Sequence, residues 1–130
     1  MQEPKSIELL TLINQTNNRL IVFKKKSGLT VNALSILFIL QKDKNMMQKD
    51  IAEYLRVSKA TVGAELKILE QRGFICRLRG MEDAREIRVS ITKAGLVQYS
   101  LVVRDLNNRL KDIVIDALLD DLERVFKIFN

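Results

Sequence analysis

A chain of 130 residues with 47% hydrophobic and 29% charged residues lies in the ordinary globular range, large enough for a core without covalent staples and too apolar to stay disordered. Its single cysteine excludes an intramolecular disulfide, and the lack of histidine removes the commonest zinc ligand and general base, so metal centres and hydrolytic chemistry start weak. The net charge of +6 is placed forward: residues 1 to 58 hold nine Lys/Arg against five Asp/Glu, residues 59 to 93 eight against five, and residues 94 to 130 five against six.

From Glu3 to about Lys26, Ile7, Leu10, Ile13, Leu20 and Ile21 recur at helical spacing behind Pro4, which the first turn tolerates. The spacing predicts a long helix. Lys24, Lys25 and Lys26 complement the negative end of its dipole and Gly28 stops it. Thr30 caps a second helix through Gln41, where Leu34, Ile36, Leu37, Phe38, Ile39 and Leu40 cover more than one face and predict a central position. A short third helix spans Met47 to Leu55 with Ile51, Tyr54 and Leu55 inward; Met47 is a poor cap, partly offset by Asp50 in the first turn. Ser58 then caps a fourth helix running to Arg72 and ended by Gly73. Its Val62, Leu66 and Leu69 form the core stripe, which leaves Lys59, Ala60, Gly63, Ala64 and Lys67 outward.

At Phe74 the period changes to two. Phe74, Cys76 and Leu78 alternate with Ile75, Arg77 and Arg79, and in Glu86 to Ile91 the inward set is Ile87, Val89 and Ile91. Two strands of a hairpin follow from this, with Cys76 read as a small buried residue and the polar link GMEDAR projecting into solvent. Thr92 caps a last helical region through Val97, Leu101, Val102, Leu106 and Leu110, and Asp116 caps a final helix carrying Leu118, Leu122, Val125 and Phe129. No Pro, Gly or Ser-rich linker divides the chain.

Two short helices joined by a tight turn, the second opening on a small polar cap, make a helix-turn-helix. A helix enters a major groove only when its outer face lets the backbone approach, and Ala60, Gly63 and Ala64 are small enough. Lys59 and Lys67 can meet phosphates, while Ser58 and Thr61 can reach a phosphate or a base edge. Arg79, Asp83, Arg85 and Arg88 then lie near the expected duplex backbone, and an arginine on such a tip suits a narrow minor groove. The plainer alternatives are a surface helix of a helical bundle and a charged turn that serves only solvation.

The run MQKDIAEYLRVSKATVGAELKILEQRGFICRLRGMEDAREIRVSITKAG resembles the winged-helix core of the MarR family of bacterial transcriptional regulators. IAEYL followed by VSKATV, LEQRGFI, Asp83, Arg85 and the closing SITKAG carry the likeness. The resemblance implies a mainly α fold with a small β-hairpin wing, a winged helix-turn-helix flanked by N- and C-terminal dimerisation helices. It further implies one domain over 1–130, with the DNA-binding core at 30–95 and dimerisation helices at 1–28 and 96–130. Arg85 matches the wing arginine that family members place in the minor groove, and Asp83 the aspartate that helps hold it. Gly63 and Ala64 depart from the polar residues of many relatives, so fewer base contacts are expected from that helix.

The apolar ends argue for a partner independently. Ile7, Leu10 and Ile13, with Leu118, Leu122, Val125 and Phe129, offer more stripe than one small core absorbs, and a homodimer would bury it. The other possibility is closure of these helices on their own core. The function expected is a sequence-specific double-stranded DNA-binding regulator, a repressor acting as a homodimer on a pseudo-palindromic operator. The alternative is a winged-helix protein-interaction module without a DNA target. An enzyme is remote, since no glycine-rich phosphate loop, nucleophile-base pair or metal-ligand cluster is visible, and no cofactor is expected. Family likeness also implies a small aromatic effector, although 5% aromatic residues suggest no stacking cage. MQEPKSIELL is unlike a secretory signal and the longest apolar block, Ile36 to Leu40, is too short for a membrane span, so the expected location is the cytoplasm.

Overall fold

The structure, a computed structural model, describes residues 4–80, 82 and 85–130, with the side chains of Ile21, Val22 and Lys26 outside the description. Its elements are α1 (Lys5–Ser27), α2 (Val31–Lys42), β1 (Met46–Met47), α3 (Gln48–Leu55), α4 (Lys59–Gln71), β2 (Ile75–Arg79), β3 (Ile87–Ile91), α5 (Lys93–Arg109) and α6 (Ile115–Ile128). They fall into two compact units, Met1–Tyr99 and Ser100–Asn130. Among the described residues, no helix is long and apolar enough to cross a membrane.

Local chemistry sets most of the boundaries. Gly28 ends α1 in the left-handed region at φ 75°, its N–H donating to the Lys24 carbonyl, a conformation that glycine adopts without a Cβ penalty. Thr30 Oγ1 accepts from the Ala33 N–H at 3.0 Å and caps α2, and Thr92 Oγ1 does the same for the Gly95 N–H at 3.0 Å at the start of α5. Met47 precedes α3 without a side-chain cap. The expected start of the first helix, Glu3, lies outside the described residues, and Pro4 precedes its first turn. Asp116 differs from expectation: Val114 holds the cap position of α6 and Asp116 lies inside the first turn, where its charge acts on the helix dipole.

In the first unit, α2, α3 and α4 pack together and against a three-stranded antiparallel sheet ordered β1-β3-β2. Ile36, Leu37 and Leu40 of α2, Ile51 of α3, Val62, Leu66 and Leu69 of α4 and Val89 of β3 are the fully buried large side chains. The central role expected of α2 and the core stripe expected of α4 are both present. β1 was not legible in the sequence, because two residues are too few to display a period. Met46 and Met47 pair with Val89 and Arg88 of β3.

Two inward assignments are corrected. Tyr54 is 58% exposed: Ile51, Ala52 and Leu55 share the arc of α3 that faces the core, and Tyr54 falls on its outer flank. In β2 the buried residue is Ile75, at 2% exposure, whereas Leu78 is 67% exposed and Cys76 is also exposed. Register explains the reversal, since Ile75, Arg77 and Arg79 oppose Ile91, Val89 and Ile87 on one face. That face therefore carries two arginines beside one isoleucine, a pattern that reads as solvent-facing. Arg77 is held there by its guanidinium, whose Nη2 donates to Glu70 Oε1 of α4 at 3.0 Å. The same geometry puts Arg77 on the side of the strand opposite Cys76.

The Glu70–Arg77 pair makes the wing's attachment to α4 depend on acid. The hydrogen bond from Arg77 is the main cause holding the Glu70 carboxyl below its usual value of 4.5. A depressed folded-state pKa contributes stability that is complete above the unfolded value and is lost as pH falls through the lowered one. Glu70→Gln is expected to cost under about 1 kcal/mol at pH 7, because both partners are partly exposed, and to flatten the acid limb of a stability-against-pH curve from chemical denaturation.

In the second unit α6 buries none of its residues. Leu118, Leu122 and Phe129 are exposed and Val125 is half-buried. In the first unit Ile7, Leu10 and Ile13 of α1 are exposed as well.

Candidate nucleic-acid interface

The site is built on a tight reversal between α3 and α4. Ile51 and Ala52 anchor α3 in the core, and Arg56 then enters the left-handed region at φ 56° and ψ 43°. The Val57 N–H returns to the Ala52 carbonyl at 3.2 Å, ending the helix in the manner of a Schellman turn. Ser58 follows directly: its Oγ accepts from the Thr61 N–H at 3.0 Å and lies 2.9 Å from Thr61 Oγ1. The two hydroxyls thus serve the cap and each other, and α4 starts at a fixed angle to α3.

On α4, Lys59, Ala60, Ala64 and Lys67 are exposed and Thr61 is half-buried, as the core stripe at Val62, Leu66 and Leu69 requires. Gly63 departs from the open face assigned to it. It is half-buried, and a Cβ built there would stand 3.6 Å from Gln48 Nε2. The amide of Gln48 occupies the flank of α4 that a side chain at Gly63 would otherwise cover.

The wing is the β2–β3 hairpin, whose tip is closed at its base by the Gly80 N–H donating to the Glu86 carbonyl at 2.7 Å. Arg79 and Arg85 are exposed at that end. Asp83 lies outside the described residues. Arg88 belongs to the body of the sheet, opposite Leu78 and Met47, and its Nη1 donates to the Asn45 carbonyl at 3.4 Å.

A cleft of about 300 Å³ joins the wing to the start of the two helices, lined by Met47, Gln48, Lys49, Lys59, Arg85, Glu86 and Ile87. It brings together Lys59 of α4 and Arg85 of the wing, which the sequence places 26 positions apart. Arg79 instead borders a smaller cleft of about 220 Å³ with Glu70, Arg77 and Ile87. Gln48 and Lys49 were missed from sequence. No local pattern marked them, because Gln48 comes beside Gly63 of α4 only through the packing of the two helices. The cleft gathers three cationic side chains, Lys49, Lys59 and Arg85, against the single carboxylate of Glu86, so its charge balance is positive.

Two helices locked across a tight turn, the second with an open basic face, and a hairpin pinned to them through a three-stranded sheet define a winged helix-turn-helix protein. The sequence pattern of the MarR family matches residues 29–87. The HTH-type transcriptional regulator YwoH of Bacillus subtilis is 30% identical over 126 residues, which cover 92% of this chain and 91% of that one. Among solved structures, the transcriptional regulator BldR from Sulfolobus solfataricus superposes with a TM-score of 0.74 at 26% identity, over 98% of this chain and 99% of that one. FabT of Streptococcus pneumoniae, solved in complex with DNA, superposes with a TM-score of 0.72 at 19% identity, over 97% of each chain. The chain belongs to the MarR family of transcriptional regulators.

Proposed function

We propose that this chain is a repressor that binds a specific double-stranded operator as a homodimer, with residues 30–95 as its DNA-binding core and residues 1–28 and 96–130 as its dimerisation helices. The observation that carries this reading is the shared cleft, which aligns Lys49, Lys59 and Arg85 along one concave surface. In this reading α4 enters the major groove, where exposed Ala60 and Ala64 permit close approach, and the phosphates on either side meet Lys59 and Lys67. Arg85 reaches the adjacent minor groove, whose negative potential favours a guanidinium. The DNA complex of FabT supports the assignment by analogy of fold.

The second copy follows from surface chemistry. A 14-residue helix with no buried residue has little stability of its own in water, and the exposed Leu118 and Leu122 of α6, with Phe129 at its C-cap, form a stripe suited to burial against another chain. The exposed Ile7, Leu10 and Ile13 of α1 offer a further apolar surface to a second copy. Twofold symmetry then presents the cationic cleft twice, to the two halves of a pseudo-palindrome about 10 bp apart.

Salt dependence tests the scheme. With about four phosphates neutralised by each subunit, log K against log salt is expected to have a slope near −7. Titration of a labelled preferred duplex at several salt concentrations measures it, and a slope near zero removes the polyanion reading.

A further inference from the structure

We infer that Gln48 reads a base, specifically an adenine presented in the major groove, an assignment that rests on the DNA-binding reading above and adds to it the source of sequence discrimination. Gln48 opens α3 and lines the cleft with Lys49, Lys59 and Arg85. Its Oε1 is closed off from solvent and has no hydrogen-bond partner among the described residues. In this conformation the acceptor is unsatisfied, and a donor offered in the cleft would complete it.

The chemistry of a duplex narrows what that donor is. Phosphate oxygens only accept, so they serve lysine and arginine and have nothing to give an amide oxygen. The donors in the major groove are the exocyclic amino groups of adenine and cytosine. Adenine also presents N7, an acceptor, next to its amino group, so a glutamine amide matches it with both ends at once. Cytosine would occupy Oε1 alone.

The open face of α4 offers little competition for this role. Ala60 and Ala64 are exposed there and carry no polar side-chain atom, while the hydroxyls of Ser58 and Thr61 are bonded to each other. Lysines and the wing arginine supply affinity through phosphate and groove shape, which every sequence has in some measure. Gln48 lies directly against the bare flank of Gly63, where a Cβ would stand 3.6 Å from its Nε2. The glycine leaves the amide room to turn from its place beside α4 toward a base edge as the duplex seats.

The test is selection of bound duplexes from a random-sequence pool by the full-length protein, run with wild type, Gln48→Ala and Gln48→Glu, with melting curves on each. Wild type is expected to enrich adenine at one position of each half-site. Gln48→Ala is expected to lose that preference alone and to bind the wild-type site about tenfold more weakly or worse, with a much smaller loss on unselected duplex and no fall in melting temperature. Gln48→Glu, an acceptor without a donor, is expected to move the preference toward cytosine. An unaltered base profile, equal weakening on every duplex, loss of a preference at a base other than adenine, or a melting temperature that falls in step with binding would each overturn the assignment. Wild type that enriches no duplex at all defeats the DNA-binding reading itself, a result distinct from any failure of Gln48.

Discussion

Replacing Arg85 with alanine is expected to weaken binding to the preferred duplex by about a hundredfold, while the melting temperature and the mass of the proposed dimer stay as they were. The side chain is exposed at the wing and lines the cleft together with Lys59, so its removal takes a charge from the proposed contact surface without opening the core. One DNA-reading arginine is worth about 1–3 kcal/mol, and the proposed symmetric dimer loses two of them, so about 1.4 kcal/mol or tenfold per subunit, toward the low end of that range, multiplies to about a hundredfold. Groove choice gives a second readout: an arginine in the minor groove responds to groove width, so the loss should be largest on sites flanked by A-tracts. Fluorescence anisotropy on A-tract and mixed-sequence duplexes, with analytical ultracentrifugation of the variant, separates the possibilities. Loss of the dimer in place of DNA affinity would assign Arg85 to the fold.

The largest stability effect is expected at Gly95. This residue sits in the first turn of α5 where the chain passes the corner between α4 and β2, and a Cβ built on it would fall 2.1 Å from the Phe74 carbonyl oxygen and 2.9 Å from its carbon. The obstacle is backbone. It is also pinned, since the Phe74 carbonyl accepts from the Thr92 N–H at 3.0 Å and Thr92 Oγ1 donates to the Gly73 carbonyl at 2.6 Å. Ile91 Cγ1, at 3.0 Å, closes the other side. Gly95→Ala must therefore displace either the α5 start or the strand corner, and about 3 kcal/mol or more is expected, a large share of the 5–15 kcal/mol typical of a folded domain. Urea denaturation should report this as a lower midpoint at unchanged slope. Gly63→Ala is the control, because at 3.6 Å from Gln48 Nε2 the added methyl makes an ordinary contact and the helix gains up to about 1 kcal/mol in propensity. Equal stability of Gly95→Ala and wild type would contradict the packing described here.

Much of this architecture is written in short-range chemistry. Gly28, Thr30, Ser58, Gly73 and Thr92 each mark an element boundary for reasons confined to a few neighbouring residues: a left-handed φ, or a hydroxyl that takes up an orphan N–H. The stripe of Val62, Leu66 and Leu69 is likewise legible, since a 3.6-residue period tells which side of α4 is apolar without reference to any partner. Family motifs led to Arg85 for a related reason, because they are contiguous runs.

Where period alone separates two faces, it does not say which one the core takes. In β2 the choice went to the face bearing Ile75, Arg77 and Arg79, since pairing with Val89 and Ile91 and the reach of Arg77 to Glu70 outweighed the apolar look of Cys76 and Leu78. The two-residue β1 and the outward turn of Tyr54 were decided in the same way, by what α2, α4 and β3 left to be covered. So was the cleft. Lys49, Lys59 and Arg85 meet because a hairpin register and a helix-turn-helix angle converge on one place, and a charged surface assembled from distant segments has no trace in any local pattern. Composition and periodicity established a basic, mainly helical chain with caps, stripes and a hairpin; the packing of those parts established which side chains share a surface, because contact between distant segments is a property of the folded backbone alone.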